Sequence, residues 1–206
     1  MEKVKLSCWA NEYMYNASQI DLVTQQINEC KYRNITHDEF GNLKRNITDV
    51  LSYWTGNTYV GMKKKVELSQ AFQLFFFSLY DWLLLLEESS DKKYSSFANE
   101  ALYQGKLYRY LGHGDSNEDV YSRVEPQYNN IFVSWSKEEK SSYIEGKLYG
   151  TMTILTCELV KDYRGIDLEA FNSSRGNERE VVFPTIQSTI IDVRYIDASY
   201  EDDYEE

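Results

Sequence analysis

The chain has 206 residues, a length typical of one domain whose core is large enough to fold without disulfides or metal ions. Hydrophobic residues make up 42% of it and aromatic residues 15%, which excludes a wholly disordered protein. Because 33 Asp and Glu outweigh 22 Lys and Arg, the net charge of −11 disfavours tight, non-specific binding to nucleic acids or anionic membranes, although it leaves room for a local basic groove.

Apolar residues recur at every third or fourth position in the first part of the chain, which is the spacing of helices that bury one face. The first predicted helix begins at Ser18 and includes Ile27. The second begins near Asp38 or Asn42 and extends to Trp54, where a Thr-Gly-Asn segment breaks the pattern. We therefore expect this part of the chain to be helical.

The third predicted helix, over residues 69–88, is the most apolar segment of the chain. Gln73, Ser78 and Asp81 interrupt it, so no apolar run approaches the roughly 18 residues that a membrane span needs. The pattern favours a buried central helix and no membrane partner. Residues 87–98 are polar and are expected to connect this helical part to the next one.

After residue 105 the pattern changes to the alternation of apolar and polar residues that is typical of strands. Five strands are predicted, over 105–111, 130–136, 148–159, 180–183 and 189–196. A short polar helix is expected to begin at Lys137. Short strands with little helix between them favour an α+β protein with a mixed, mainly antiparallel arrangement.

The predicted organisation is a helical N-terminal lobe over 1–95, a β-rich core over 96–196 and an acidic tail over 197–206, together forming one compact protein. The tail contains six Asp and Glu residues and no Lys or Arg, so about half of the net charge lies there. The charge of the remaining chain therefore argues less strongly against a nucleic-acid partner than the net figure does.

Cysteine and histidine usage is sparse. The three cysteines are widely spaced without a Cys-x-x-Cys motif, so neither a disulfide framework nor a zinc site is expected, and we expect no metal. The start of the chain lacks the apolar core of a signal peptide, which favours a reduced, cytoplasmic protein. With two histidines, a Ser-His-Asp triad is not expected.

Two strand segments contain candidate functional residues. Arg109 is flanked by alternating apolar residues, and an arginine that faces inward needs an anion or a carboxylate to offset its burial. The alternative is an arginine on the solvent face of an edge strand. Ser134 and Ser136 share one face of their strand, opposite Trp135, where they could orient a polar ligand or a carboxylate. Alternatively, Ser136 caps the helix that follows it.

A third segment contains two glutamates, Glu178 and Glu180, directly before an apolar Val-Val-Phe-Pro run. Residues two apart on an extended strand share a face, so the two carboxylates would repel each other and one would have a raised pKa. The alternative is a pair of solvated glutamates at the end of a loop.

Taken in order, these segments resemble the Arg-Ser-Glu class of mono-ADP-ribosyltransferases, and in particular its arginine-directed phage and bacterial toxin-like members. The matching segments are Leu-Tyr-Arg at 107–109, Phe-Val-Ser-Trp-Ser at 132–136, and Glu-Arg-Glu-Val-Val-Phe-Pro at 178–184. The resemblance covers about residues 100–196 and implies a mainly antiparallel β-sandwich core that binds NAD, preceded by a helical lobe.

The resemblance also implies roles for individual residues. Glu180 would bond the ribose 2′-hydroxyl of NAD and stabilise positive charge as nicotinamide leaves. Ser134 would orient Glu180 and contact the same ribose, and Ser136 would support the strand. Arg109 would hold a phosphate or the neighbouring ribose, beside Tyr110. Together Arg109, Tyr110, Ser134, Ser136 and Glu180 would form the NAD site.

The acceptor side of the site is implied to contain Glu178 and Phe171, and Glu178 favours arginine on a protein as the acceptor. Either Tyr143 or Tyr149 could stack on nicotinamide. Tyr110 and Trp135 depart from the smaller residues that are common in the family, which affects the shape of the pocket and not its charges.

Three alternatives to arginine modification stay open. One is an NAD glycohydrolase on the same fold, and a second is an enzyme that modifies a nucleic acid. The third, from a different class, is a catalytically inactive interaction module.

Overall fold

The computed structural model describes residues 17–55, 66–112, 132–139, 150–159, 164–172, 179–184 and 190–198. The chain divides into two compact units. A helical unit comprises Met1–Ala101 and Leu168–Ser174, and a β unit comprises Leu102–Asp167 and Arg175–Glu206. The division thus falls after Ala101, whereas the sequence predicts it after residue 95, and one segment of the predicted core belongs to the helical unit.

The described part of the helical unit contains four α-helices and one short 3₁₀ helix. They are α1 at 17–30, α2 at His37–Thr55, α3 at Val66–Glu87, α4 at Lys92–Ala101, and the 3₁₀ helix at Leu168–Phe171. The three helices that the sequence predicts are present as α1, α2 and α3. Helix α2 begins at His37 because Thr36 and Glu39 form a capping box, in which each side chain accepts the other's backbone N–H.

Helix α4 was not predicted, and the expectation of a polar connection over 87–98 is wrong for the second half of that segment. The side chains of Tyr94 and Phe97 are buried on one face of the helix. The Asp91 carboxylate caps its start by accepting the backbone N–H of Lys93 at 2.8 Å. Serines and lysines on the exposed face of α4 hid this short apolar stripe in the sequence.

Aromatic side chains fill the core of the helical unit. Phe72, Phe75, Phe76 and Trp82 of α3 are fully buried, and the ring centroid of Phe76 lies 4.8 Å from that of Trp54 on α2. Helix α3 thus buries one face, whereas Leu74, Phe77 and Leu85 are exposed, so the sequence prediction of a buried helix holds for that face alone. Among the described helices, none combines the length and apolar character needed to cross a membrane.

Seven strands of the β unit pair into one sheet. They are β1 at Leu102–Tyr103, β2 at Lys106–Gly112, β3 at Phe132–Ser136, β4 at Gly150–Glu158, β5 at Gly165–Asp167, β6 at Glu180–Pro184, and β7 at Ile190–Ala198. Their order in the sheet is β1-β5-β6-β3-β2-β4-β7, and each described pairing is antiparallel. The α+β class is confirmed, while a sandwich arrangement and an NAD-binding type stay predictions.

The five predicted strands are present as β2, β3, β4, β6 and β7, whereas the short strands β1 and β5 were missed. A three-residue strand shows too little alternation to be recognised. Gly165 in β5 allows a close approach, because an added Cβ would lie 2.3 Å from the Val181 side chain. Residues 137–139 form a bend, and the rest of the helix predicted from Lys137 lies outside the described residues.

The end of the β unit also differs from the prediction. Asp197 and Ala198, the first two residues of the predicted acidic tail, are the last residues of β7. The remainder of the tail lies outside the described residues.

One face of the sheet carries a hydrophobic cluster, formed by Leu107, Trp135, Leu155, Cys157, Leu159 and Val181. The register explains its composition, since residues directly opposite each other in a ladder share a face. Trp135 lies opposite Val181, and Leu107 lies opposite Cys157. Burial in this cluster raises the pKa of the Cys157 thiol to about 12.

Candidate active site

The sheet topology places the three principal sequence-predicted residues on neighbouring strands. Glu180 is the first residue of β6, Ser134 is in the middle of β3, and Arg109 is in the middle of β2. These strands are adjacent in the sheet in the order β6-β3-β2. Residues that are 25 and 46 positions apart along the chain are therefore brought together by strand pairing.

Ser134 and Glu180 form a direct hydrogen bond, in which the Ser134 hydroxyl donates to Oε1 of the Glu180 carboxylate. The register accounts for this contact. Ser136 lies opposite Glu180 and Ser134 lies opposite Val182, so both serines share a face with the glutamate. The prediction that Ser134 and Ser136 lie on the opposite face from Trp135 is confirmed.

Glu180 is a buried carboxyl group, with only 6% of its surface exposed. Burying a carboxyl group is unfavourable unless donors replace the water that it loses. The Ser134 hydroxyl supplies one such donor and also fixes the orientation of the group. The outcome is a carboxylate held in one geometry and largely shielded from solvent.

Arg109 reaches the same place from the other side of Ser134. Its Nη1 donates to the backbone carbonyl of Ser134 at 2.6 Å. Along their described lengths, β2 and β3 pair at one position, Tyr108 with Ser136, so the ladder does not continue beside Ser134.

The side chain of Arg109 leaves the sheet on the opposite face from those of Ser134 and Glu180. Arg109 lies opposite Leu155 of the hydrophobic cluster, so alternation places its Cβ on the apolar face. Its Nη1 nevertheless reaches the backbone carbonyl of Ser134 on the neighbouring strand β3. Ser134 is thus the middle member of the set, with its carbonyl bound by Arg109 and its hydroxyl bound to Glu180.

Arg179 changes the expected relation between the two glutamates. It has a φ of 40°, in the left-handed region that residues other than glycine rarely adopt. The prediction that Glu178 and Glu180 share a face assumed an extended backbone between them, and that assumption is wrong at Arg179. Glu178 itself lies outside the described residues.

The other predicted site residues are distributed as follows. The Ser136 hydroxyl accepts the backbone N–H of Glu138 at 3.1 Å, within the bend that follows β3. Tyr110 belongs to β2, and the structure describes its backbone but not its side chain. Tyr143 and Tyr149 also lie outside the described residues.

Phe171, the predicted acceptor contact, lies in the helical unit. It is 1% exposed, and its ring centroid lies 5.2 Å from that of Phe97 in an edge-to-face arrangement. Thr48 on α2 donates its hydroxyl to the Phe171 carbonyl at 3.0 Å. Phe171 therefore packs in a hydrophobic core, and we assign it no direct contact with an acceptor.

Sequence reasoning missed a buried ion pair beside the site. Lys137 Nζ lies 2.7 Å from the Asp167 carboxylate, and the two side chains are 14% and 11% exposed. The backbone N–H of Lys137 donates to the Arg179 carbonyl at 3.0 Å. Lys137 directly follows Ser136 and bonds the residue directly before Glu180, so the ion pair lies beside the candidate site. A lone lysine after a strand gives no signal of this in the sequence.

A concave region lies in the helical unit, where residues 30–37 meet the junction of α3 and α4. Its volume is about 430 Å³. Lys31 is paired with Asp81 and Arg33 with Glu39, and the His37 ring nitrogen lies 2.8 Å from the Asp91 carboxylate. Because the charges of Lys31 and Arg33 are already offset by carboxylates, this cavity offers a weaker case for a reaction site than the buried Glu180 does.

In the described ranges, no group of three or more His, Cys, Asp or Glu side chains could hold a metal ion. No family model, curated protein or solved structure matches the chain. The function is therefore argued from the arrangement of Arg109, Ser134 and Glu180.

Proposed function

We propose that the chain is a mono-ADP-ribosyltransferase that moves ADP-ribose from NAD to an acceptor and releases nicotinamide. The observation that carries this proposal is the hydrogen-bonded set in which Ser134 joins Arg109 and Glu180 across three adjacent strands. Those residues were selected from the sequence by a resemblance to the Arg-Ser-Glu class. Their meeting in the fold supports it, because an accidental motif match gives no reason for three distant segments to converge.

The buried Glu180 suits the breaking of a glycosidic bond. As nicotinamide leaves, positive charge develops on the ribose, and an oriented carboxylate in a shielded site stabilises that charge. Ser134 holds Oε1, which fixes the carboxylate before the reaction. We assign Glu180 the role of accepting a hydrogen bond from the ribose 2′-hydroxyl and of stabilising the oxocarbenium-like transition state.

Arg109 suits the binding of the NAD diphosphate or of the adjoining ribose. A guanidinium has five N–H donors in a rigid planar fork, so it can bond a carbonyl and an anion together. Its contact with the Ser134 carbonyl places it beside the strand that orients Glu180. We assign Arg109 the role of positioning NAD relative to the carboxylate.

The acceptor is proposed on the resemblance alone. Glu178, two residues before Glu180, favours the guanidinium of arginine on a protein, because a carboxylate binds that group with two parallel hydrogen bonds. We propose an intracellular effector of the phage or toxin type that modifies target proteins. Nucleic-acid modification and NAD hydrolysis use the same NAD site and differ in what receives the ribose.

Labelled NAD tests this proposal directly. The purified chain is incubated with cell extract and NAD labelled in the adenylate phosphate, and the products are treated separately with protease and with nuclease. We expect protease-sensitive label that free agmatine, an arginine analogue, competes away. We expect Arg109→Lys to raise the KM for NAD at least about tenfold, because a lysine cannot reproduce the planar fork.

Other results identify the alternatives. Nuclease-sensitive label identifies a nucleic-acid acceptor, and nicotinamide release without labelled macromolecules identifies a glycohydrolase. If a folded preparation neither binds NAD at millimolar concentration in calorimetry nor releases nicotinamide, the proposal is wrong. A catalytically inactive interaction module is then the better interpretation.

A further inference from the structure

A buried ion pair joins the two strands that flank β6. Lys137, the residue directly after β3, donates from its Nζ to the carboxylate of Asp167, the last residue of β5, at 2.7 Å. The sheet order there is β5-β6-β3, so β6 lies between the two elements that the pair connects. The pair therefore spans β6, which begins at Glu180.

Lys137 and Asp167 also lie beside the two chain neighbours of Glu180. The backbone N–H of Lys137 donates to the carbonyl of Arg179, the residue before Glu180, at 3.0 Å. Asp167 lies directly opposite Val181, the residue after Glu180, in the antiparallel ladder of β5 and β6. The ion pair thus links the partners of both neighbours, at the end of β6 where the candidate catalytic group lies.

The ion pair and the Glu180 carboxylate belong to opposite faces of the sheet. Asp167 lies opposite Val181, which in turn lies opposite Trp135, so these three residues share the face of the hydrophobic cluster. Glu180 shares the other face with Ser134. The pair is therefore placed to hold the backbone from which the Glu180 side chain projects.

Both members of the pair are largely removed from water. The side chains of Lys137 and Asp167 are 14% and 11% exposed. The ring of Tyr103, which packs against the hydrophobic cluster, has its centroid 5.8 Å from Lys137 Nζ. Burial also raises the pKa of the Tyr103 hydroxyl. In such surroundings the loss of hydration offsets most of the attraction between the two charges, so the pair contributes little net stability.

We propose that Lys137 and Asp167 are positioning residues, whose ion pair holds the start of β6 so that the Glu180 carboxylate meets the ribose of NAD in the reactive geometry. This inference rests on the proposed transferase function. Arg179, directly before Glu180, has an unfavourable φ of 40°, which persists where surrounding contacts enforce it. The hydrogen bond from the Lys137 N–H is one such contact, and the ion pair keeps Lys137 in place to make it.

This role has a kinetic signature. Misplacing a catalytic group by about 1 Å slows the chemical step strongly, even when the residue that causes the shift lies away from the reacting atoms. Arg109, to which we assign NAD binding, lies on β2, which is not one of the strands that the ion pair links. We therefore expect loss of the pair to lower kcat and to leave the KM for NAD unchanged.

The double variant Lys137→Met/Asp167→Leu tests the pair, because it removes both charges together. A single substitution would leave a buried charge without its partner and destabilise the protein strongly. We expect the double variant to melt at or above the wild-type temperature, since apolar side chains often replace a buried ion pair without loss of stability. We also expect faster amide exchange over residues 179–182 and a kcat for nicotinamide release lowered on the order of tenfold, with an unchanged KM.

Two further variants isolate the geometry of the pair. Lys137→Arg keeps a cation beside Asp167, so we expect it to retain wild-type amide exchange and most of kcat. Lys31→Met is the matched control, because the Lys31 side chain is 9% exposed and pairs with Asp81 in the helical unit. Asp81 is 62% exposed, so this variant leaves no buried charge, and we expect it to keep the wild-type kcat.

An unchanged kcat in the double variant overturns the inference, as does an equal loss of kcat in Lys31→Met or in Lys137→Arg. A melting temperature well below that of the wild type would identify a structural role, and a raised KM with an unchanged kcat a role in binding; either result also overturns it. If the wild-type chain releases no nicotinamide, the proposed function fails and the catalytic part of this inference fails with it. Amide exchange in the double variant then still decides whether the pair holds the start of β6.

Discussion

The two units differ in where they place their charged side chains. In the helical unit, charged side chains pair at the surface, as in Arg33–Glu39 and His37–Asp91, while aromatic rings fill the core. In the β unit, Asp167 and Glu180 are buried among apolar strands. Burying a carboxyl group opposes folding unless a partner offsets it; Asp167 is paired with Lys137 and Glu180 is bound by Ser134, and the β unit that holds them is where we propose the reaction site.

The same difference suggests that the helical unit contributes mainly to stability and that the β unit holds the residues of the proposed reaction. The aromatic core of the helical unit supplies large apolar burial, and its surface pairs and caps fix where helices begin. The β unit uses strand pairing to hold polar groups that contribute little to stability by themselves. Changes in the two units should therefore have different consequences, which the following predictions measure.

The largest effect on stability is expected in the aromatic core of the helical unit. Phe76→Ala removes a fully buried ring that packs on Trp54 and Phe72, so we expect the free energy of unfolding to fall by about 3–5 kcal/mol. Denaturant unfolding followed by circular dichroism measures it. The neighbouring Phe77, which is 41% exposed, is the control, and Phe77→Ala should cost much less. Equal losses would contradict the description of α3 as a helix with one buried face.

An intermediate effect is expected in the β unit. Ser134→Ala removes a donor from the buried Glu180 carboxylate, so we expect a loss of roughly 1–3 kcal/mol in unfolding free energy. The exposed Ser52 on α2 bonds the Asp49 carbonyl, and Ser52→Ala should change stability by less than about 0.5 kcal/mol. If Ser134→Ala is as mild as Ser52→Ala, the Ser134–Glu180 bond does not hold the carboxyl group.

A smaller effect concerns acid stability of the helical unit. Hydrogen bonds from the Thr36 N–H and from Arg33 lower the pKa of Glu39. Since this pKa is lower in the folded state, the capping contribution is complete above the unfolded pKa and is lost as the pH falls through the folded pKa. In Glu39→Gln we expect a weaker dependence of stability on pH in the acid range. An unchanged pH profile in acid titrations of unfolding would show that the capping box has no role.

The smallest effect is on thiol reactivity. Because burial raises the pKa of Cys157 to about 12, its thiol stays protonated at pH 8. We expect an alkylating reagent at that pH to leave the Cys157 peptide unmodified in the folded protein and to modify it in denaturant, as measured by mass spectrometry. Fast modification in the folded state would contradict the closed hydrophobic cluster of the sheet.

Long, regular elements could be predicted from the sequence, and short or irregular ones could not. Helix α2 and strand β4 each present several periods of an apolar pattern. Strands β1 and β5 have two and three residues, which is too few for a pattern, and polar residues mask the apolar stripe of α4. The segment 168–174 belongs to the helical unit because Phe171 contacts α2 and α4. No local pattern in the sequence encodes contacts between such distant residues.

The candidate site could likewise be predicted only in part. Arg109, Ser134 and Glu180 could be selected because their residue types and order carry information. The left-handed Arg179 could not be foreseen, since its conformation depends on contacts with Lys137 and Glu138, which are more than 40 positions away by sequence number. Local sequence identifies reactive residue types, and tertiary contacts determine where they point.

Glu180 carries the central claim, and nicotinamide release from labelled NAD tests it most directly. Glu180→Gln keeps the size of the side chain and removes its charge, and Glu158→Gln on an exposed position of β4 is the matched control. We predict that the wild type and Glu158→Gln release nicotinamide at the same rate and that Glu180→Gln, with an unchanged circular dichroism spectrum, lowers kcat at least about 100-fold. Equal release by Glu180→Gln and the wild type would contradict the claim that this buried carboxylate is the catalytic group.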